Sequence, residues 1–242
     1  MCFSRMTKTL HYFWFGGAEK PRLVKKCIES WQKFLPDFEI KEWNESNFDI
    51  GGTAFTQGAW EAKKYAFVSD AARFIVLYRY GGLYFDTDVE LIKPLGDLLD
   101  NEAFAAMENS EYASPGLVLW AKEKGNPVIG EVMRLYETSS FILPDGTFNM
   151  LTVSKYFTGV LEKYGFVKED KLQRCGSFTV YPKECFCPFD DLTGTLHVTE
   201  NTYAVHWFAK SWMKKSQIAR NRVTRVLHRI FGTERFSGRR RR

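Results

Sequence analysis

The sequence predicts an α/β fold built on a mostly parallel sheet, and three observations carry that prediction. Short apolar or alternating runs recur between longer stretches with helical spacing, and strands that alternate with helices build parallel sheets flanked by helices. A long apolar-faced stretch over residues 60–80 stops at Gly81-Gly82 and is followed at once by Leu83-Tyr84-Phe85, which ends in acids. Hydrophobic residues make up 45% of the 242 positions and aromatics 16%, enough to fill the core of one such domain.

Taken in order, residues 10–15 (LHYFWF) read as a first strand. Pro21 opens a helix to about residue 34, with Leu23, Cys27, Trp31 and Phe34 roughly on one side, since proline suits a first helical turn. Residues 38–43 alternate Phe38, Ile40 and Glu42 against Glu39 and Lys41, the two-residue period of a strand. The 60–80 helix places Ala66, Phe67, Phe74, Ile75, Leu77 and Tyr78 at spacings of three to four. Gly81 stops it, because a glycine just past a helix takes the left-handed conformation at little cost. A strand over 82–85 follows, then strands at 103–107 and 117–120, helices at 127–136 and 149–163, and late strands at 178–181 and 202–206. No repeat, low-complexity linker or boundary interrupts the chain before residue 213, so residues 1–213 are expected to form one domain.

The candidate chemistry sits at residues 81–90, GGLYFDTDVE. Ligands of open α/β sheets bind beyond the carboxyl ends of the strands. Asp86 and Asp88, one residue apart at such an end, offer hard oxygen donors of the kind that Mg²⁺ and Mn²⁺ share with phosphate oxygens. The pair reads as a metal–diphosphate site. Asp70 and Arg73 lie three apart on the preceding helix, hence on one face. Charges embedded in so apolar a helix call for a partner or a ligand.

Ser69-Asp70-x-x-Arg73 followed by Leu77-Tyr78-x-Tyr80-Gly81-Gly82-x-Tyr84-x-Asp86-x-Asp88 resembles the sugar-binding-region glycosyltransferases that contain the DXD motif. That group takes in bacterial capsule and lipopolysaccharide transferases of the family 32 type and yeast initiating mannosyltransferases, with the glucosylating clostridial toxins as distant relatives. His11 to Gly17, Glu42-Trp43-Asn44, Asn47-Phe48-Asp49, Glu61 to Ala66, Glu123 to Pro127 and Val205-His206…Ser211-Trp212 extend the likeness over residues 8–213. The resemblance implies a GT-A-type nucleotide-diphospho-sugar transferase fold with a Rossmann-like sheet. It also implies a transferase that uses a UDP- or GDP-sugar, retains anomeric configuration and depends on Mn²⁺ or Mg²⁺. By the same likeness Asp86, Asp88 and His206 hold the metal, and Asp70 and Arg73 contact ribose and sugar. Trp14 stacks on the base, Tyr84 lies beside the nucleotide, and Trp212 lies near sugar and phosphate. Two departures stand out: Trp207 and Ala209 occupy positions where relatives often carry His and Asp, and Ser114-Pro115-Gly116, read as a loop, replaces an expected Asn-Thr-Gly.

Charge divides the chain unevenly. Residues 214–242 hold eleven Lys or Arg against Glu234 alone, a charge of +10 that leaves −5 on residues 1–213 of the chain's total +5. Ala219, Val223, Val226, Leu227, Ile230 and Phe231 form one helical stripe, with Arg222, Arg225 and Arg229 on another side and Arg239 to Arg242 at the end. A basic amphipathic helix with a polybasic tail suits an anionic membrane surface, whereas nucleic-acid binding would call for more base-stacking aromatics than Phe231 and Phe236. A peripheral enzyme at the inner face of the cell membrane, acting on a glycan or lipid-linked acceptor in surface-polysaccharide synthesis, is the expectation. No run approaches the ~18–20 apolar residues of a spanning helix, and Met1 to Met6 lack a leader's apolar stretch, with Met6 an alternative start. Cysteines 2, 27, 175, 185 and 187 are odd in number and lack a Cys-x-x-Cys pair, which points to a reducing cytosol. A haloacid-dehalogenase-type phosphatase fits Asp86-Thr87-Asp88 superficially, but Glu90 stands where that pattern wants a small residue and Asp70 and Arg73 find no role. A non-catalytic glycan- or membrane-binding relative would have no need of four intact charged residues.

Overall fold

Seven strands form the central sheet of the computed structural model, which describes residues 8–209 and, further on, 224, 225, 227–229 and 232. In chain order the elements are β1 (Thr9–Phe13), α1 (Arg22–Phe34), β2 (Glu39–Trp43), α2 (Ala54–Glu61), α3 (Tyr65–Tyr80), β3 (Gly82–Tyr84), β4 (Val89–Leu91), β5 (Ala103–Met107) and β6 (Ala113–Ala121). Then come α4 (Pro127–Glu137), α5 (Val153–Glu162), β7 (Gln173–Cys175), β8 (Phe178–Tyr181), α6 (Lys183–Phe186), β9 (Phe189–Asp190), β10 (Thr195–Leu196) and β11 (Ala204–His206). The sheet order is β2-β1-β3-β6-β5-β8-β7. Parallel pairing joins β2 to β1, β1 to β3 and β5 to β8, while β6 and β7 pair antiparallel with their neighbours. Five of the seven strands therefore run one way, the mostly parallel sheet that the alternation of strands and helices predicts.

Strand side chains alternate between two apolar layers. Phe13, Tyr84 and Ala105 pack with α2 to α5 on one face, while Leu10, Tyr12, Leu83, Phe85 and Phe104 pack with α1 and α6 on the other. Burial on both faces is what parallel sheets require. The turn from α3 into β3 needs its two glycines. Gly81 and Gly82 have φ of +68° and +96°, and a Cβ on Gly82 would meet the Thr9 carbonyl oxygen at 2.5 Å. With no side chains in the way, β3 slides directly alongside β1.

Four expectations are corrected. The helix over 60–80 is two helices, because Lys63 takes φ +56° and ends α2, with Trp60 and Tyr65 packing ring to ring across the break. The helix expected from 149 starts at Val153, since residues 141–149 fold back as a hairpin: Asp145 accepts from the Thr147 amide, and Ile142 bridges Phe148. Ser114-Pro115-Gly116 lies inside β6, at a slip in its register with β5, a place where proline's missing donor costs nothing. The last strand pairs with β4 in a separate two-stranded sheet. Trp212 and the alternative start fall outside the described residues, as does most of 214–242. Of that segment, Arg225 reaches the Asp191 carboxylate and Arg229 the Thr193 and Gly194 carbonyls, while Leu227 is exposed. These two arginines thus contact the β9–β10 turn of the domain.

Candidate active site

Asp86 and Asp88 leave the carboxyl end of β3, the central parallel strand between β1 and β6. The Asp86 amide donates to the Gly116 carbonyl at 3.0 Å, which fixes the start of the turn against β6. Tyr84 donates its hydroxyl to Asp86 Oδ1 at 2.5 Å, and Arg73 Nη1 lies 3.3 Å from the same oxygen. Alternation along β3 is the cause: Tyr84 and Asp86 point to the α3 face, where Arg73 waits.

Arg73 is nearly fully buried, an arrangement tolerable only with partners. Its Nη2 donates to Asp70 Oδ1 at 2.5 Å, its Nε to the Ser69 carbonyl, and its guanidinium covers the Tyr84 ring at 4.7 Å. Nη1 pairs with the Asp86 oxygen by charge but makes no hydrogen bond. Burial pushes the Asp70 carboxyl up to about 7, with Arg73 opposing that shift and Asp86 adding to it. The Asp70–Arg73 pair is therefore no surface ion pair.

Asp88 turns to the other side and ties down the late segment. Its Oδ1 lies 3.2 Å from His206 Nε2, its Oδ2 accepts from the Ala209 amide at 2.7 Å, and its backbone oxygen accepts from Trp207 at 3.0 Å. Burial would raise the Asp88 carboxyl, but His206 and the Ala209 amide outweigh it and hold the group below the usual carboxylate range. The converse holds for His206: burial alone would lower it, and Asp88 raises it well above the ordinary histidine value, with a smaller contribution from Cys187. His206 Nδ1 is buried and makes no hydrogen bond.

Asp86, Asp88 and His206 offer ligand atoms that all lie within 4.8 Å of one another. The fit to a divalent ion can be judged from their spacing. Ligands at ~2.1 Å from an octahedral ion stand about 3 Å apart when adjacent, and His206 Nε2 and Asp88 Oδ1 are separated by 3.2 Å. Two carboxylate oxygens with one imidazole nitrogen suit Mn²⁺ or Mg²⁺, the carboxylates most directly. The residues present fit the ion.

Trp14 stands at the same strand end, three residues beyond His11, which pairs with Tyr84. It is half-buried, its indole donates to the Ala18 carbonyl at 2.6 Å, and Lys20 lies 5.8 Å from its ring. Tyr84, by contrast, is buried beneath Asp86 and offers no face for stacking; it acts through Asp86. Three contributors escaped sequence reasoning. Gly116 abuts the Asp86 carboxylate so closely that a Cβ would stand 2.2 Å from Oδ2. Glu90 accepts from Trp207 Nε1 and from Lys26, each at 2.8 Å, and so pins the residue after His206. The Ala209 amide needs no particular side chain, which leaves no signal in the sequence.

The chain is similar to known glycosyltransferases in sequence and in fold. Residues 21–105 match the family described as glycosyltransferase sugar-binding region containing DXD motif. Inositol phosphoceramide mannosyltransferase 3 of Schizosaccharomyces pombe is 29% identical over 64% of this chain and 42% of its own length. Lactosylceramide 4-alpha-galactosyltransferase of Pan troglodytes is 28% identical over 86% of this chain and 60% of its own. The chain thus spans about half the length of these curated relatives. Among solved structures, the fold is similar to that of PaToxG glycosyltransferase, with a TM-score of 0.53 and 19% identity over 65% of this chain and 69% of that one. The GT-A-type α/β fold implied by the motifs is the fold observed.

Proposed function

We propose that this chain, whose residues 21–105 carry the DXD-containing sugar-binding region of glycosyltransferases, moves a sugar from a UDP- or GDP-sugar to a glycan or lipid-linked acceptor. The observation that carries the reading is the meeting of Asp86, Asp88 and His206 within 4.8 Å, beside buried Arg73, whose Nη1 pairs with Asp86 by charge but makes no hydrogen bond. Separate segments of the chain supply these groups, and a buried guanidinium donor that makes no hydrogen bond calls for an explanation, which a ligand would supply.

Asp86, Asp88 and His206 would hold Mn²⁺ or Mg²⁺, which supplies charge neutralisation for the departing nucleoside diphosphate. Tyr84 and Gly116 fix the Asp86 carboxylate from two sides, and Asp88 is oriented by the Ala209 amide. Arg73, held by Asp70 and Ser69, would offer Nη1, which makes no hydrogen bond within the protein, to the donor sugar. Trp14, at the end of β1, would take the base, and Trp212 is assigned to sugar and phosphate from the resemblance alone. Retention of configuration is proposed from the resemblance, with attack on the face that the phosphate leaves, so that a departing phosphate oxygen takes the acceptor's proton.

The acceptor is proposed to be lipid-linked. The names of both curated relatives specify ceramide-based acceptors, and residues 214–242 carry +10, worth ~1 kcal/mol per basic residue near an anionic surface. The setting that follows is the inner face of the cell membrane, in synthesis of surface polysaccharide. A panel of nucleotide-sugars, incubated with Mn²⁺, Mg²⁺ or chelator, tests the core of this. Metal-dependent release of nucleoside diphosphate from at least one donor is expected, and release from none would defeat the reading. Proton NMR of the first transfer product then reports the anomer.

A further inference from the structure

Five large apolar side chains, Ile142, Leu143, Phe148, Met150 and Leu151, stand exposed within ten residues of chain. They belong to the hairpin between α4 and α5. It is closed by hydrogen bonds from the Leu143 amide to the Thr147 carbonyl and from the Asn149 amide to the Phe141 carbonyl, each 2.8 Å. Phe141 anchors its base, fully buried with its ring 5.4 Å from Phe55, 5.1 Å from Phe67 and 5.2 Å from Phe148. Gly58 lies beneath, where even a Cβ would touch Ile142 and Phe141 at 3.4 Å. The space under the hairpin is filled, so its apolar side is held toward solvent.

The hairpin lies at the active-site end of the sheet. Tyr65, the first residue of α3, packs on Gly16 just past β1, and α3 runs from there to the far end. α4 runs back antiparallel, with Gly130 against Tyr78 and Tyr136 against Phe74. It therefore delivers the hairpin to the end where Asp86 and Asp88 stand. On the other side of the site, Leu192, Leu196, Val198 and Leu227 form a second exposed apolar group. Phe189 of that turn packs 5.5 Å from Trp207, which bonds to Asp88. Nine of the twelve large exposed apolar residues among those described belong to these two segments, and grouped exposed apolar side chains mark interaction surfaces.

We propose that the 141–151 hairpin is an interfacial anchor, laying its apolar side into a lipid bilayer so that the mouth of the site faces the membrane holding the acceptor. This rests on the lipid-linked acceptor proposed above and adds the surface that meets it. A bilayer is the occupant because the two apolar groups lie on either side of one active-site mouth and the basic segment 214–242 continues from the second of them. Stable peripheral binding generally takes two signals: charge from the tail and apolar contact from the hairpin.

The test uses the full chain with vesicles of phosphatidylcholine alone and of phosphatidylcholine with phosphatidylglycerol. Salt at about 0.5 M screens surface charge, so the binding that survives it reads the apolar anchor. Leu143→Ser with Met150→Ser is expected to weaken that residual binding at least about tenfold, with donor hydrolysis and the melting temperature unchanged. A Met150→Cys variant carrying an environment-sensitive fluorophore leaves the hairpin otherwise intact and should report an apolar setting when vesicles are added. Absence of vesicle binding by the wild type, undiminished binding by the double variant, or a shift from dimer to monomer in place of a vesicle effect would each overturn the proposal. Failure of every donor to be hydrolysed would instead strike the transferase reading and leave the vesicle result standing.

Discussion

Replacing Gly116 by alanine would separate the geometry of the site from the fold around it. The added Cβ would stand 2.2 Å from Asp86 Oδ2, 3.0 Å from its Cγ and 3.1 Å from Arg73 Nη1. Non-bonded heavy atoms settle nearer ~3.5 Å, so the carboxylate must retreat by about 1 Å. It cannot do so and keep both the 2.5 Å bond from Tyr84 and its place 3.3 Å from Arg73. The fold itself has room to yield, because the colliding atom is the end of a short side chain that is about one-third exposed. Overpacking of about 1–3 kcal/mol is the upper range, and each kcal/mol lowers the melting temperature by about 2–4 °C in a chain of this size. A 1 Å misplacement at a reacting centre costs about 10²-fold, or about 2.7 kcal/mol in the barrier. Metal-dependent release of nucleoside diphosphate, measured beside a thermal melt, should show that loss with the fold retained, and a higher Mn²⁺ concentration for half-saturation. Wild-type turnover and metal affinity in the alanine variant would refute the placement of Asp86 in the reacting site.

Asp88→Asn keeps an acceptor for the Ala209 amide but removes the charge facing His206; turnover should fall at least about 10³-fold with an unchanged circular dichroism spectrum, and full activity at saturating Mn²⁺ would contradict the ligand assignment. For Asp70 the sign follows from a folded value near 7 against 3.8 for the free group: the folded state holds the proton more readily, so this residue's contribution is fullest below about pH 4 and declines as pH rises to about 7. Asp70→Asn should flatten that part of the curve of melting temperature against pH, and identical slopes in variant and wild type would rule the shift out. Glu90→Ala releases Trp207 and should raise the KM for donor several-fold, whereas Glu90→Gln, which can still accept from the indole, should recover most of it; equal kinetics in the two variants would mean that Glu90 acts through charge alone.

What could be read from the sequence were features whose physics is local. Gly81-Gly82 marks a helix stop and a close strand approach, Asp70 and Arg73 share a helix face by spacing, and two acids end an apolar run. The break at Lys63 was not legible, since a single left-handed residue leaves the apolar pattern on either side intact. Pro115 disguised the start of β6 as a loop, because the slip in register that tolerates it depends on β5. Pro144-Asp145-Gly146 is a strong turn signal, yet the apolar residues after it read equally well as the start of α5. Glu90 and Trp207 were invisible as partners because the pairing of β4 with β11 is made between short strands far apart in sequence.

That pairing explains why the site needs the end of the domain. β3 alone delivers Asp86 and Asp88 to neighbouring positions, and two carboxylates brought close repel each other unless something offsets them. Arg73 serves Asp86 from the α3 side, and His206 serves Asp88 from β11. The offsets differ in kind. Arginine keeps its charge under all ordinary conditions, whereas histidine can give up its proton when a cation takes over the same nitrogen. With His206 protonated, Asp86 and Asp88 are opposed by two positive charges. Exchange of that proton for a divalent cation would raise the opposing charge to three, so that an incoming diphosphate would meet a more positive site than the protein alone provides. The fixed charge comes from the helix that the sequence makes plain, and the exchangeable one from a strand that only the three-dimensional pairing brings to Asp88.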